Sequence, residues 1–356
     1  MRTTTAVLIA LGMIVTACNT GAAGPIDTTT TTSEPVTTST TTSTAIPPTT
    51  TTPKLDTSDI NGLPVDDPAL LERRVVAVKI DNHPNANPQS GIDQADMMIE
   101  LMVEGITRFI SVWQQSDSEY LGPNRSARPT DSELLQAFNE PTYVFSGAQA
   151  WVQGIIAGTG INTIKELSFG TFRISSRKAP HNLYVDTVQL RETADERNYP
   201  NEPPNGPIWE FGPMSDFSDP ASSVNIDFSG HPVVWTWDQP AGLWLRTAYG
   251  IESNYRNEDG SEDRVGVPVM VALYVERYTA HPPSGVSGSS LPSSITTGTG
   301  KAFVFADGLV SEGTWERESE LDWFKITDAN GETILVPAGK IWVSLVPSNR
   351  GLTIQN

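Results

Sequence analysis

Residues 76–131 read VAVKIDNHPNANPQSGIDQADMMIELMVEGITRFISVWQQSDSEYLGPNRSARPTD, and we expect the rest of the chain to be organised around this stretch. Apolar runs rich in β-forming residues alternate here with polar clusters that are denser and more varied than ordinary turns. The polar side chains lie beside predicted strand ends: Asp81, Asn82, His83, Glu100, Glu104, Arg108, Arg125 and Arg128. We therefore predict that a functional site of this protein lies in this stretch.

Apolar runs in this stretch and after it predict strands that alternate with helices. Strands are predicted at 74–80, 97–103, 107–114 and 142–145, and helices at 148–157 and 186–197. Thr130 and Glu133 have the spacing of a capping box, which predicts another helix through about Phe138. A strand, a small-residue turn and a helix in succession indicate an α/β layer. Residues 58–198 are therefore predicted to form an N-terminal α/β layered domain.

The second half of the chain is a series of short strand patterns. Residues 199–230 are rich in Pro, Gly, Asp and Ser, and we interpret them as an interdomain connection that packs on the first domain through Trp209 and Phe211. Residues 231–356 are predicted to form a smaller, β-rich, meander-like domain with an Asn330-Gly331 hairpin turn and a mobile loop at 279–300. The predicted fold class is α+β, and the length of 356 residues favours two modest cores.

The acidic composition limits the partners that this chain is expected to bind. The formal net charge is -19 and the sequence pI is about 4.5. Nucleic acid and anionic lipid surfaces require a basic binding surface, so neither is expected as the main partner. The few basic clusters therefore stand out.

The first residues have the pattern of an exported, lipid-anchored protein. An apolar segment too short to span a bilayer is followed by Val15-Thr16-Ala17-Cys18, which resembles the lipobox of bacterial lipoproteins. Residues 1–18 are therefore predicted to be a signal peptide with lipidation at Cys18; the alternative is an ordinary secretory signal. Residues 19–57 are almost all Thr, Ser, Pro, Ala and Gly, which predicts a disordered linker. The predicted localisation is extracytoplasmic, on the bacterial cell membrane.

Several motifs resemble those of the YerB-like lipoproteins, a bacterial family with domains of unknown function. The motifs are DNHPNANPQSG at 81–91, EGITRF at 104–109, GPNRSAR at 122–128 and RKAPHNLY at 177–184. The resemblance implies a two-part protein, with an α/β N-terminal domain and a smaller β C-terminal domain, anchored outside the cytoplasmic membrane. The chain departs from the family where Asn87 replaces an arginine and where Gly105 stands alone. The resemblance implies no reaction.

Two basic clusters are candidates for one anion-binding site. Arg125 and Arg128 precede the capped helix, where helix N–H groups and guanidinium donors suit phosphate or carboxylate. Arg173, Arg177 and Lys178 form the second cluster, and Arg108 lies between the polar segments. The alternative is that these cations pair with neighbouring carboxylates and brace the fold.

Acid–base chemistry is a second possibility for the same region. Glu100 and Glu104 are four residues apart and are predicted to share one face, as a carboxylate pair for general acid–base catalysis requires. His83 and His181, with Asp81, Asn82 and Asn182, are polar or acid–base candidates; hydrogen-bonded loop histidines are the favoured interpretation.

Other site classes have little support in the sequence. HExxH, CxxC and EF-hand spacings are missing, so no metal site or cofactor is predicted. Residues 175–178 match the S-x-x-K pattern by chance, because the Lys-Thr-Gly partner motif is missing. Six tryptophans of the second half are interpreted as core rather than as a carbohydrate-stacking face: Trp235, Trp237, Trp244, Trp315, Trp323 and Trp342.

Three functional hypotheses remain open from the sequence. The first is a non-catalytic envelope lipoprotein that binds an anionic or glycan wall component, or a wall-assembly partner. The second is an enzyme that acts on cell-wall polymer, with Glu100 or Glu104 as acid–base and an arginine anion site. The third is a protein–protein scaffold that uses the β-rich domain.

Overall fold

The computed structural model describes residues 56–215 and 217–356. The predicted signal peptide with Cys18 and residues 19–55 of the predicted linker lie outside the described residues. The described chain is mostly β-sheet with few helices. No helix within it is both long and apolar enough to cross a membrane.

Short strands are the main elements along the chain, and three α-helices lie among them in its first half. The strands are β1 Val76–Ile80, β2 Met97–Met102, β3 Thr107–Trp113, β4 Thr142–Phe145, β5 Asn162–Lys165, β6 Thr171–Arg173, β7 Leu183–Val185, β8 Asp219–Pro220, β9 Ser223–Asp227, β10 Pro232–Asp238, β11 Leu243–Ala248, β12 Ile251–Glu252, β13 Asn254–Arg256, β14 Glu262–Arg264, β15 Gly266–Val267, β16 Val269–Val275, β17 Arg277–Ala280, β18 Leu291–Ser294, β19 Gly298–Ala306, β20 Leu309–Arg317, β21 Lys325–Thr327, β22 Ile341–Pro347 and β23 Gly351–Gln355. The α-helices are α1 Pro129–Leu135, α2 Ala150–Ala157 and α3 Thr187–Glu196, and short 3₁₀-helices cover Pro68–Leu70, Pro84–Ala86, Ile92–Gln94 and Gln136–Phe138.

The largest sheet of the described chain is mixed and contains strands from both halves of the sequence. Its 11 strands follow the order β21-β20-β19-β16-β22-β2-β3-β1-β4-β5, with β8 paired to β20. Strand β22 connects the strands of the two halves, because it pairs parallel to both β2 and β16. All residues of β1, β2 and β3 are buried, and strands buried on both faces read as continuous apolar runs.

The two faces of this sheet carry two separate apolar clusters. Helices α1 and α2 pack on the first face, with Leu134 and Trp151 in its cluster. On the second face, α3 and the smaller sheet β12-β11-β10-β9-β23 contribute Leu190, Trp235 and Trp244. Each cluster contains residues from both halves of the chain. The chain length favours two modest cores. The structure has two apolar clusters, and they lie on opposite faces of the large sheet.

Several local predictions need correction. Helix α1 begins at Pro129, and the backbone N–H of Arg128 donates to Asp131 Oδ2 at 2.6 Å, so the predicted capping box at Thr130 and Glu133 is wrong. Residues 279–300 contain the end of β17, strand β18 and the start of β19, so the loop predicted there is limited to residues 281–290. Residues 199–230, interpreted as a connection, include strand β9 in the smaller sheet.

Candidate functional site

Asp81 follows β1 directly and is a fully buried centre of polar contacts. Its Oδ2 lies 2.8 Å from His181 Nδ1 and 3.3 Å from Arg125 Nε. Its Oδ1 accepts the backbone N–H of His83 at 3.0 Å. The rings of His83 and His181 stack with centroids 4.7 Å apart and an interplanar angle of 19°. The structure thus brings together residues of three separate motifs at the end of one strand.

Asn82 begins a chain of hydrogen bonds that runs into the core. Asn82 Nδ2 donates to Thr107 Oγ1 at 2.7 Å, and this hydroxyl donates to Glu100 Oε1 at 2.7 Å. Gln89 Nε2 donates to Asn82 Oδ1 at 3.0 Å and to the Asp81 carbonyl at 3.0 Å. These bonds hold the 81–89 loop against β2 and β3.

Arg108, Arg125 and Arg128, which we call the arginine cluster, lie close together near the start of α1. Arg108 Nη1 donates to the Ser126 carbonyl at 3.1 Å, and Arg128 Nη1 approaches the same oxygen at 3.4 Å. Arg128 also pairs with Glu104, with Nη2 and Oε1 2.7 Å apart. Arg108 is only 6% exposed, and among the described residues no carboxylate lies within 4.0 Å of its guanidinium.

Burial and neighbouring charges shift the pKa values of Arg108 and Glu104. Burial, and secondly the neighbouring charge of Arg128, lowers the pKa of Arg108 to about 10. Burial would raise the pKa of Glu104, but the hydrogen bond and charge of Arg128 outweigh it and leave that pKa below its usual value. The cluster is therefore a partly buried region in which positive charge is only partly compensated.

A buried network lies beside the arginine cluster. Lys79 Nζ is 2.6 Å from Asp131 Oδ1, and both side chains are fully buried. Tyr143 Oη donates to Asp131 Oδ2 at 2.6 Å. Burial lowers the pKa of Lys79 to about 8, against the opposing effect of Asp131. Asp131 therefore both caps α1 and holds a lysine inside the sheet.

The predicted carboxylate pair is not brought together. Glu100 points to the second face of the sheet, where its Oε1 lies 2.7 Å from Arg246 Nη2 and its Oε2 accepts Trp342 Nε1 at 3.1 Å. Glu104 lies beyond the end of β2 and pairs with Arg128 at the start of α1, on the other face. The hypothesis of one shared acid–base face therefore fails, because β2 ends between the two residues.

The second basic cluster forms separate contacts. Arg173 is exposed and pairs with Glu166, and its Nη1 donates to Asn182 Oδ1. Arg177 donates to the carbonyls of Asn85 and Pro88, which fastens the 174–182 loop to the 84–88 loop. Lys178 is exposed. Of the second segment, His181 is the residue that contacts Asp81 directly.

Sequence reasoning missed Arg246, Lys79 and Asp131 as members of these networks. In LWLRTAY, Trp244, Arg246 and Ala248 occupy alternate positions of β11 that face the core. A charged residue at a core-facing position of a strand requires a buried partner of opposite charge. The alternation of LWLRTAY therefore could have predicted a buried ion pair at Arg246. Lys79 in the apolar run VAVKI carries the same signal.

The tryptophans of the second half are mainly core residues. Trp235, Trp244, Trp315 and Trp342 are buried, which confirms the core interpretation for these four residues. Trp237 and Trp323 are partly buried against the same clusters.

A metal site was not predicted from the sequence motifs. Within residues 56–215 and 217–356, no group of three or more His, Cys, Asp or Glu side chains is placed to hold a metal ion.

This chain belongs to the family described as "Protein of unknown function (DUF3048)". The N-terminal domain model of this family matches residues 60–200, and the C-terminal domain model matches residues 224–343. These two matches agree with the two-part organisation of the family, although strands of both parts share the large sheet.

The chain is similar to the "Putative lipoprotein YerB" of Bacillus subtilis (strain 168). The two are 26% identical over 289 residues, which is 78% of this chain and 82% of the relative. The crystal structure of the YerB protein from Bacillus subtilis matches with a TM-score of 0.72 at 24% identity, covering 84% of this chain and 99% of that chain. The resemblance to YerB-like lipoproteins is confirmed, and the structural match shows a common fold.

Proposed function

We propose that this chain is a lipid-anchored protein of the bacterial cell envelope that binds an anionic ligand at the arginine cluster. The observation that carries the proposal is Arg108, a guanidinium that is 6% exposed and has no carboxylate within 4.0 Å among the described residues. A buried charge without a partner is costly, and a bound anion would supply the partner.

The local charge balance supports an anionic ligand. Four cations, Lys79, Arg108, Arg125 and Arg128, surround three carboxylates, Asp81, Glu104 and Asp131. One negative charge would neutralise the group. This excess of positive charge lies in a chain whose formal net charge is -19, so it is a local feature of the site.

The ligand class follows from the donors. Guanidinium groups present N–H donors in a planar fork that matches phosphate and carboxylate oxygens. We expect a phosphate or carboxylate group of a wall polymer, or of a protein that assembles the wall. The lipobox-like segment ending at Cys18 and the similarity to a relative described as a lipoprotein support an extracytoplasmic, lipid-anchored location.

The test compares two double variants that each remove two positive charges. Arg125→Ala plus Arg128→Ala removes half of the four cations of the group, whereas Arg173→Ala plus Lys178→Ala removes exposed charges outside it. Pyrophosphate binding, measured by isothermal titration calorimetry, should weaken about 100-fold in the first variant and little in the second. Equal binding by both variants, each folded at the parental melting temperature, would end the proposal. A large loss of melting temperature in the first variant would instead assign its arginines to bracing the fold.

A second candidate function, hydrolysis of a bound phosphoester, is favoured by one contact. The 2.8 Å approach of His181 Nδ1 to buried Asp81 Oδ2 orients the imidazole, so its Nε2 can take a proton from water as the water attacks phosphorus. The P–O bond to the ester oxygen then breaks, and the imidazolium returns the proton to this leaving oxygen. Turnover of bis(4-nitrophenyl) phosphate that His181→Asn abolishes while pyrophosphate binding persists would support this reaction. Binding without turnover in the parental protein would leave the site as a binding site alone.

A further inference from the structure

A pocket opens on the second face of the large sheet, between the 84–92 loop and the smaller sheet. Its volume is about 410 Å³, within the range of small-molecule sites. The walls come from three places: the 84–92 loop, the segment from β11 to Val265, and side chains of the large sheet such as Phe109 and Trp342. Residues of both family domains therefore form this one pocket.

The pocket wall is mainly apolar. Phe109 and Trp342 form its inner side, with ring centroids 5.1 Å apart. Tyr249 and Ile251 lie at its mouth and are 41% and 72% exposed. Such a wall favours a ligand with an apolar body, because burying apolar surface is the main source of binding free energy there.

The polar groups of the wall specify the rest of the ligand. Arg246 is 4% exposed, and its charge is compensated by Glu100 at 2.7 Å. Its Nε has no hydrogen-bond partner among the described residues, and neither does Asn254 Oδ1 on the same wall. One buried donor and one buried acceptor thus remain unpaired, which is unusual for a folded protein.

The charged groups of the wall are already paired, which disfavours an anion. Glu252 and Glu262 line the pocket, and they pair with Arg264 and Arg256. Because Glu100 also compensates Arg246, an entering carboxylate would lose its hydration without gaining an unpaired cation. This pocket therefore differs in its chemistry from the arginine cluster.

We propose that this pocket binds an uncharged molecule with an apolar body and one amide or hydroxyl group. The apolar body packs against Phe109 and Trp342. The amide or hydroxyl group accepts from Arg246 Nε and donates to Asn254 Oδ1, so both unpaired atoms gain partners. The proposal does not depend on anion binding at the arginine cluster.

Two substitutions on one strand provide the test. Ala248 lines the pocket, whereas Thr247, its neighbour on β11, is on the opposite side of the strand, because side chains alternate. Binding of the uncharged fluorophore N-phenyl-1-naphthylamine should be saturable in the parental protein. Ala248→Phe should weaken it about tenfold by filling the pocket, and Thr247→Phe should leave it within about twofold. Equal loss in both variants would overturn the proposal.

Selectivity is tested with three ligands of one chain length. Octanamide and octan-1-ol should displace the fluorophore, whereas octanoate at pH 7.5 should be about fivefold weaker or worse, because its charge would be desolvated without meeting an unpaired cation. If Ala248→Phe does not fold, Ile251→Glu at the exposed mouth replaces it and should weaken binding several-fold. Displacement by octanoate as strong as by octanamide would contradict the proposed ligand class, as would unchanged binding in the pocket variants.

Discussion

Arg246 Nη2 lies 2.7 Å from Glu100 Oε1, and this buried ion pair joins the smaller sheet to the middle of the large one. Glu100 also accepts hydrogen bonds from Thr107 and Trp342, so both carboxylate oxygens are occupied. The Arg246 guanidinium carbon lies 5.4 Å from the ring centroids of Phe109 and Trp342. The pair therefore couples residues from both halves of the chain within one apolar layer.

Glu100→Gln should strongly destabilise the protein. The amide has one acceptor oxygen in place of two, so it leaves the buried Arg246 charge without a counter-ion and sets an N–H group against other donors. We expect the free energy of unfolding to fall by about 3–5 kcal/mol, measured by urea denaturation. The control is Glu312→Gln, which removes an exposed pair with Lys301 and should cost less than about 1 kcal/mol. Equal losses in the two variants would contradict this account of the buried pair.

The strands around the site follow directly from local sequence patterns. The predicted ranges 97–103 and 107–114 match β2 and β3 to within one residue, because apolar runs of that length form buried strands. Asp81, Asn82 and His83 lie at a strand end as predicted, whereas Glu100 lies within β2. The local order of apolar and polar residues identifies these strands because it reflects which positions are buried, and burial is a property of each residue on its own.

The arrangement of strands and ion pairs could not be predicted in this way. Strand β22 pairs with β2 across more than 200 residues, and any apolar strand would satisfy the same local pattern. Arg246 and Glu100 are 146 positions apart, so no local pattern links them. The predicted face shared by Glu100 and Glu104 depends on where β2 ends, and β2 ends at Met102. Partner choice depends on which edges and charges remain free in the assembled fold, and no single segment contains that information.

Glu133→Gln should stabilise the protein at neutral pH. Burial, and secondly the charge of Glu320, raises the pKa of Glu133 to about 7 from an ordinary value near 4.5. Between these values the folded chain holds a proton that the unfolded chain has lost, so stability falls as the pH rises from about 4.5 to about 7. The variant removes this loss and should exceed the parental protein by about 1–3 kcal/mol at pH 7.5.

The measurement for Glu133 is the difference in free energy of unfolding between the variant and the parental protein at pH 4.5, 6 and 7.5. This difference should be smallest at pH 4.5 and should grow with pH. Glu316→Gln on the exposed face of β20 is the control and should show no such growth. A difference that does not change with pH would place the effect of Glu133 in packing alone.

Two glycine substitutions should have opposite effects. A Cβ at Gly313 on β20 would overlap the backbone carbonyl of Thr327 on the neighbouring strand, so Gly313→Ala should cost about 1–3 kcal/mol. Gly154 lies on the exposed side of α2, and no atom lies within 4 Å of the position that an added methyl group would occupy. Gly154→Ala should therefore stabilise the helix by about 0.5–1 kcal/mol. Thermal denaturation measures whether each variant is more or less stable than the parental protein. A stabilising Gly313→Ala would contradict the close approach of β20 and β21.

Lys79→Met should destabilise the protein at pH 7 by leaving Asp131 buried without its cation. We expect a loss of about 3 kcal/mol, because removing one partner of a buried pair exposes the full cost of the other charge. The parental protein should also show a pH effect that the variant lacks. The folded pKa of Lys79 is about 8, below the ordinary value of 10.5, so above pH 8 the unfolded chain binds a proton that the folded chain has lost. The parental stability should therefore rise relative to the variant as the pH rises from 8.

Urea denaturation at pH 7, 8 and 9.5 measures the growth of this difference. The upper limit avoids the ionisation of Tyr143, whose burial raises its pKa and gives stability the opposite slope above about pH 10. Lys325→Met, at an exposed position of β21, is the control and should leave both the stability at pH 7 and its pH dependence nearly unchanged. If the parental protein and Lys79→Met differ by the same amount at all three pH values, Lys79 keeps its proton in the folded state throughout, and the Asp131 carboxylate outweighs the burial of the lysine.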